Sequence, residues 1–187
     1  MLPAETFLRR IRAANRAVAL AVGLGLLAAA FLTLADIVLR QLGTSLGGTD
    51  ELSGYAMAIA SGWGMGFALC ELAHVRIDVL RTRLAAKGRA ALDMLAMASL
   101  SGVLAAIAWR SWPVVERSLA NGSRANTPLE TPLAWVQVPW MAGWVWFALT
   151  AWAVSGCALA LILRGDLGPA ERAVGTVSEV GQTEMRA

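Results

Sequence analysis

Four long intervals of this sequence contain no charged side chain, and they constrain the fold more than any motif does. They run over residues 17–35, 52–70, 94–109 and 131–163. A bilayer core about 30 Å thick is crossed by about 20 apolar residues in a helix rising about 1.5 Å per residue. The first two intervals match that length directly. The third reaches it if Arg110 extends its guanidinium to the membrane surface beside Trp109 and Trp112. The fourth exceeds one straight crossing, so its start, with Pro132, Gln137 and Pro139, reads as interfacial. Four buried helices of a soluble bundle would each need a polar face, and these segments have none. With 57% hydrophobic and only 16% charged residues, the chain is also too apolar for an ordinary soluble domain. The expectation is an all-α integral membrane protein. Its four transmembrane helices fall at about 17–38, 52–72, 92–112 and 140–163 within a membrane domain over 1–163. A polar cytoplasmic tail, expected to be disordered, occupies 164–187.

The N-terminal basic residues and following apolar run resemble a secretory signal, but the run is longer than a usual h-region and ends in no clear cleavage site. It reads as an uncleaved first helix. Orientation follows from basic residues in the short connections. Arg9, Arg10, Arg12 and Arg16 precede the first crossing, Arg76, Arg81, Arg83, Lys87 and Arg89 lie between the second and third, and Arg164, Arg172 and Arg186 follow the fourth. The opposite loops hold only Arg40 in one and Arg110, Arg117 and Arg124 in the other. That imbalance places both termini in the cytoplasm, with the basic connections against anionic lipid. No basic patch is interleaved with exposed aromatics, which argues against nucleic acid as a partner.

The chemistry that such a bundle could carry is thinly represented. His74 is the only histidine, so a haem held by two axial imidazoles is excluded, and no second His or Cys pair stands at metal-ligand spacing. Cys70 and Cys157 are isolated and read as reduced, apolar thiols rather than a redox pair. Glycines at 23–25 and 62–66 fall inside apolar spans and read as packing residues rather than a phosphate loop. The spans also lack the mid-membrane ionisable residues of a transport pathway. Asp36 and Arg40 read as an i, i+4 pair at the surface. His74, with Glu71, Arg76 and Asp78 near it, reads as an interfacial hydrogen-bonding residue where the second span leaves the membrane, and Asp78 as a partner for Arg76 or Arg81 or a helix cap.

Packing surfaces are better represented. Gly54, Ala58, Gly62 and Gly66 recur every four residues and form a shallow groove where another backbone can approach, with Trp63 beside it. The groove serves either internal packing or contact with another membrane protein. Trp109, Trp112, Trp135 and Trp140 fall near one membrane boundary as an aromatic belt.

Four segments carry a family resemblance: DIVLRQLG closing the first span, TDELSGYAMAIASGWGMGFAL opening the second, AHVRIDVL after it, and NGSRANTPLETPLAWVQVPWMAGW leading into the fourth. In this order, over about residues 15–163, the chain resembles the small Q-type membrane subunit of tripartite ATP-independent periplasmic (TRAP) transporters, with Arg40, Glu51, His74 and Asp78 at motif-like positions. Glu71 departs from the pattern, standing where a basic residue often precedes the His. The resemblance implies a bacterial inner-membrane accessory subunit without enzymatic activity. It implies a large multi-span M-type permease as partner and a periplasmic binding protein that delivers a small organic acid. Sodium and substrate would bind the large subunit, so no cofactor is expected on this chain. The small subunit would widen the scaffold, with Asp50, Glu51 and residues 116–132 facing the binding protein. The small subunit of a tripartite tricarboxylate transporter, a membrane redox or quinone subunit, and a free-standing channel or scaffold remain the rival readings.

Overall fold

The computed structural model describes residues 3–74 and 81–175. Among the described residues, helices α1 (Pro3–Gln41), α2 (Thr49–Cys70), α3 (Ala86–Asn121), α4 (Leu133–Leu163) and α5 (Leu167–Val174) follow one another, with a 3-10 turn, Arg81–Arg83, before α3. Among the described residues there is no strand, only an isolated bridge between Arg124 and Pro132.

Three helices, α1, α3 and α4, are long and apolar enough to cross a membrane. Helix α2 has 22 residues, enough for a crossing by length, but its glycines, serines and Trp63 dilute its hydropathy. Helices α1, α3 and α4 also outrun the expected crossings. At about 1.5 Å per residue, the 39 residues of α1 extend about 58 Å. The apolar runs mark the stretch suited to hydrocarbon, not the ends of the helices. Proline did not mark those ends either. Helix α3 continues through Pro113 to Asn121, and α4 begins at Leu133 and contains Pro139, where an interfacial approach is expected from the sequence. Each internal proline removes one backbone hydrogen bond, a loss that packed membrane helices tolerate. What ends α3 is Gly122, whose φ of 58° is left-handed and whose N–H returns to the Ser118 carbonyl.

The four long helices form a row in the order α1, α2, α4, α3. Helix α1 packs on α2, α2 on α4 and α4 on α3. Neighbours α1 and α2 are antiparallel, as are α3 and α4, while α2 and α4 run parallel at the centre. One end of the row holds the α1–α2 and α3–α4 loops. The other, here the terminal end, holds the start of α1 and the C-terminus of α4. The core lies along α4, where Phe147, Ala151, Ala158 and Leu161 are buried with Met97 and Leu104 of α3 and Leu69 and Cys70 of α2.

The tail differs from the expected disorder. Helix α5 folds back against α4 and α3 and buries Ala170, Ala173 and Val174. Their i, i+3, i+4 spacing supplies the apolar stripe that docks it. Residues 176–187 lie outside the described residues.

Candidate functional site

The two loops of the row combine into one compact surface. Asp36, in the last turns of α1, has a relative exposure of only 1%. Its carboxylate accepts hydrogen bonds from Arg40 Nε (2.8 Å), Ser45 Oγ (2.8 Å), the Leu46 N–H (2.7 Å) and Thr49 Oγ1 (2.9 Å). The surface i, i+4 pair expected here is therefore only one side of a ring of donors that folds the α1–α2 loop around the anion. One turn deeper, Thr33 and Ser53 hydroxyls meet at 2.8 Å across α1 and α2.

The α3–α4 loop is fixed onto that platform. Ala125 N–H donates to the Thr131 carbonyl (2.9 Å), and Leu133 N–H to that of Ser123 (2.9 Å). Glu51, in the first turn of α2, accepts from Tyr55 and from Thr131 Oγ1 (3.0 Å). Gly48 sits at φ 72°, and Leu129 covers it so closely that any Cβ there would overlap the leucine side chain. Asp50 is exposed beside Arg40 (3.9 Å).

The glycine-rich face of α2 divides. Gly62 lies against the Gly143–Trp144 backbone of α4, and Gly66 against the Asn15 side chain of α1. These two positions serve packing inside the row. A Cβ on Gly54 would meet only open space, and Ala58 is half-buried. Trp63 joins the internal set: its Nε1 donates to the Pro139 carbonyl (2.8 Å) and its ring stacks on Trp146 with centroids 6.2 Å apart. Trp146 Nε1 donates to Asn15 Oδ1 (3.0 Å), and Asn15 Nδ2 donates to Thr150 Oγ1 (3.3 Å) and the Ile11 carbonyl (3.0 Å). This polar chain ties α1 to α4. On the outside, α1 and α2 leave an almost wholly apolar groove of about 440 Å³, with Val22, Gly25 and Leu26 on one wall and Ala56, Ala60 and Trp63 on the other.

Of the expected belt, Trp109, Arg110, Trp112 and Trp135 are exposed and Trp140 is half-buried. Trp109, Arg110 and Trp112 lie within α3 rather than at its end.

The terminal end is held by Arg81. Expected as a topology-setting surface charge, it is buried, with Nε and Nη2 bound to the Asp93 carboxylate (both 3.0 Å) and Nη2 also to Glu171 Oε1 (2.7 Å). Its pKa is raised, first by the hydrogen-bonded Asp93 and further by Glu171, against the opposing effect of desolvation. Arg89 approaches Glu171 at 3.5 Å. Arg9, Arg10, Arg12, Arg16, Arg83 and Lys87 are exposed. His74 is half-buried, its ring 6.0 Å from that of Phe147. Arg76 and Asp78 lie outside the described residues. Among the described residues, no group of His, Cys, Asp and Glu is placed to hold a metal ion. Cys70 and Cys157 are separate buried thiols.

Asn15, Asp93 and Glu171 escaped the sequence reading. Asn15 carries a signal of its own, an amide just before a long apolar run. The partners of Arg81 carry none, since they lie 12 and 90 residues away.

The family model described as Tripartite ATP-independent periplasmic transporters, DctQ component, matches residues 29–161. Those residues hold the Asp36 ring, all of α2 and α3, and α4 up to Leu161. No curated protein and no solved structure matches the chain.

Proposed function

Because the chain belongs to the DctQ component family of tripartite ATP-independent periplasmic transporters, we propose that it scaffolds a large permease in the bacterial inner membrane. As a small transporter subunit it is a multi-pass membrane protein. In this reading α2 is the fourth crossing, since it runs the depth of the row between α1 and α4 and has the length. Both termini face the cytoplasm, supported by the crowd of basic residues at the terminal end.

The observation that carries the scaffold role is the state of α1. Its long apolar segment has no residue buried within the chain. Leu24, Leu27, Phe31 and Leu34 are all exposed, and the α1–α2 groove opens on the same helix. In a membrane such a surface is covered by lipid or by a partner, and a groove with small residues such as Gly25 and Ala60 on its two walls admits a partner helix closely. The permease helices lie along α1 and this groove, and the row supplies a rigid flank for an elevator-like moving part. Sodium and the organic-acid substrate bind the large subunit. A periplasmic binding protein docks over Asp50, Glu51 and the α3–α4 loop, whose internal hydrogen bonds make a preformed surface.

The test is purification of the tagged chain from native membranes in mild detergent, with mass spectrometry of what accompanies it. A stoichiometric large multi-span permease is expected. Recovery of the chain alone, folded and monodisperse, would overturn the scaffold role.

A further inference from the structure

Glu51 opens α2 beneath the α3–α4 loop, and its carboxylate is turned inward. Oε1 accepts hydrogen bonds from Tyr55 and from Thr131 Oγ1 at 3.0 Å, and Oε2 is sealed from solvent. Both oxygens are thus taken up inside the chain, one by donors and one by burial. The neighbouring acid, Asp50, is the opposite case, with a side chain 85% exposed. From the sequence both acids are expected to face the binding protein, but only Asp50 presents its carboxylate to solvent.

The loop above Glu51 needs holding. Glu130 sits at φ 46°, in the left-handed region that a residue with a Cβ rarely adopts. Such a conformation persists only where surrounding contacts fix it. Glu130 N–H donates to the Thr127 carbonyl (3.0 Å), and Arg124 Nη1 donates to the Glu130 carbonyl (3.1 Å). These bonds stay within the loop and leave it untied to the helices below. Two contacts fasten it to α2: Leu129 over Gly48, and the next residue, Thr131, on Glu51. The first is apolar and sets no direction. The second is a hydrogen bond to an ionised acceptor, stronger than a neutral one and directional. The same loop turns Asn126, Thr127, Pro128 and Glu130 outward, all exposed.

We propose that Glu51 is a positioning residue: it holds the α3–α4 loop from beneath in the shape on which the periplasmic binding protein docks, and does not itself touch that protein. This role rests on the docking reading given above. It separates two adjacent acids by task, Asp50 available at the surface and Glu51 spent on the frame.

The experiment takes two readouts on one set of variants. One is amide hydrogen exchange at Ala125, Glu130 and Leu133 in the isolated full chain. The other is the affinity of the small subunit–permease complex for the transporter's own periplasmic binding protein, added in solution as purified. Thr131→Val removes the hydroxyl, keeps the shape and leaves Glu51 charged. It should speed loop exchange about tenfold, the size of one hydrogen bond to a charged group, and weaken docking about fivefold through lost preorganisation. Thr131→Ser restores the donor and should return both readouts to within about twofold of wild type. Unchanged loop exchange in Thr131→Val overturns the positioning role. So does a Glu51→Gln variant that loses docking while its loop exchanges as in wild type, since the carboxylate would then be a contact. Faster exchange with undiminished docking overturns it as well and takes this loop out of the docking surface. Absence of docking by the wild-type complex would instead remove the docking reading itself, and the scaffold role of α1 would still stand. Thr131→Val exchanges a hydroxyl for a methyl, so it carries the test even if Glu51→Gln disturbs folding.

Discussion

Helices α1 and α4 are both long, both apolar and both able to cross a membrane, yet half of the apolar segment of α4 is buried inside the chain and none of that of α1 is. Position in the row explains the difference. Helix α4 lies between α2 and α3 and has α5 folded against it, whereas α1 leans on α2 and reaches α4 mainly around Asn15. Apolar composition therefore says that a helix avoids water but not what covers it. The glycines show the same division at finer grain: Gly62 and Gly143 bring the parallel helices α2 and α4 together, while Gly54 on the same α2 faces open space. Substitutions at the centre should unfold the chain, and substitutions at the α1 edge should leave the fold intact and change what binds it.

The largest effect is expected where α5 is fastened across α3 and α4. Arg81→Ala leaves the Asp93 carboxylate, only 5% exposed, without its guanidinium. Removing one partner of a buried ion pair costs about 3–5 kcal/mol. The expected value is about 3 kcal/mol, at the low end of that range, because the Glu171 side of the network is 43% exposed. Denaturant unfolding in detergent measures the loss, and limited proteolysis within Leu167–Val174 should show α5 released. Protection of α5 unchanged from wild type would mean that its apolar stripe holds it without the ion pairs.

Next comes the close approach of α2 and α4. A methyl on Gly143 would lie 2.7 Å from Trp63 Cδ1 and 2.9 Å from the Trp63 backbone nitrogen. The helices cannot keep their separation, so Gly143→Ala should destabilise by about 2 kcal/mol and disturb the Trp63–Trp146 stack, visible in tryptophan fluorescence. Gly54→Ala is its counterpart at an open position and should be neutral or stabilise by up to about 1 kcal/mol through helix propensity. Equal effects at the two sites would erase the distinction between the inner and outer parts of this face.

How much of this was readable beforehand follows from the range of each interaction. Runs without charge show as apolar helices because membrane burial acts on one segment at a time. Asp36 with Arg40 was visible as an i, i+4 pair, but Ser45, Leu46 and Thr49 joined it only once the loop closed. Arg81 read as a surface cation because a basic residue in a basic stretch carries no mark of distant carboxylates. Helix α5 did carry a signal, the spacing of Ala170, Ala173 and Val174, hidden by small side chains in a polar tail. Pro139 misled in the other direction, since proline weakens a helix without ending it when neighbours support the backbone.

Asn15 marks the border between centre and edge, and a smaller effect is expected there. Asn15→Ala removes the bonds to Trp146 and Thr150 that tie α1 to α4. Interhelical hydrogen bonds in membranes contribute about 1 kcal/mol or less, so the fold should survive with a loss near that size. Disulfide trapping between cysteines placed on α1 and α4 would show the two helices parting more often. A loss as large as that of Arg81→Ala would make α1 part of the centre.

The smallest effect on the fold belongs to the outer face of α1. Leu24 and Phe31 are 67% and 63% exposed, so truncating both should change unfolding by no more than about 0.5 kcal/mol. If that face meets only lipid, capture of the permease from native membranes should also be unchanged, because lipid adapts to a shortened side chain. If it meets the permease, capture should fall while the isolated chain unfolds as before, since packing against a protein surface cannot refill the gap as acyl chains do. The second outcome is expected. A drop in stability as large as that of Gly143→Ala would show instead that α1 is held by its own chain and that the contrast with α4 is wrong.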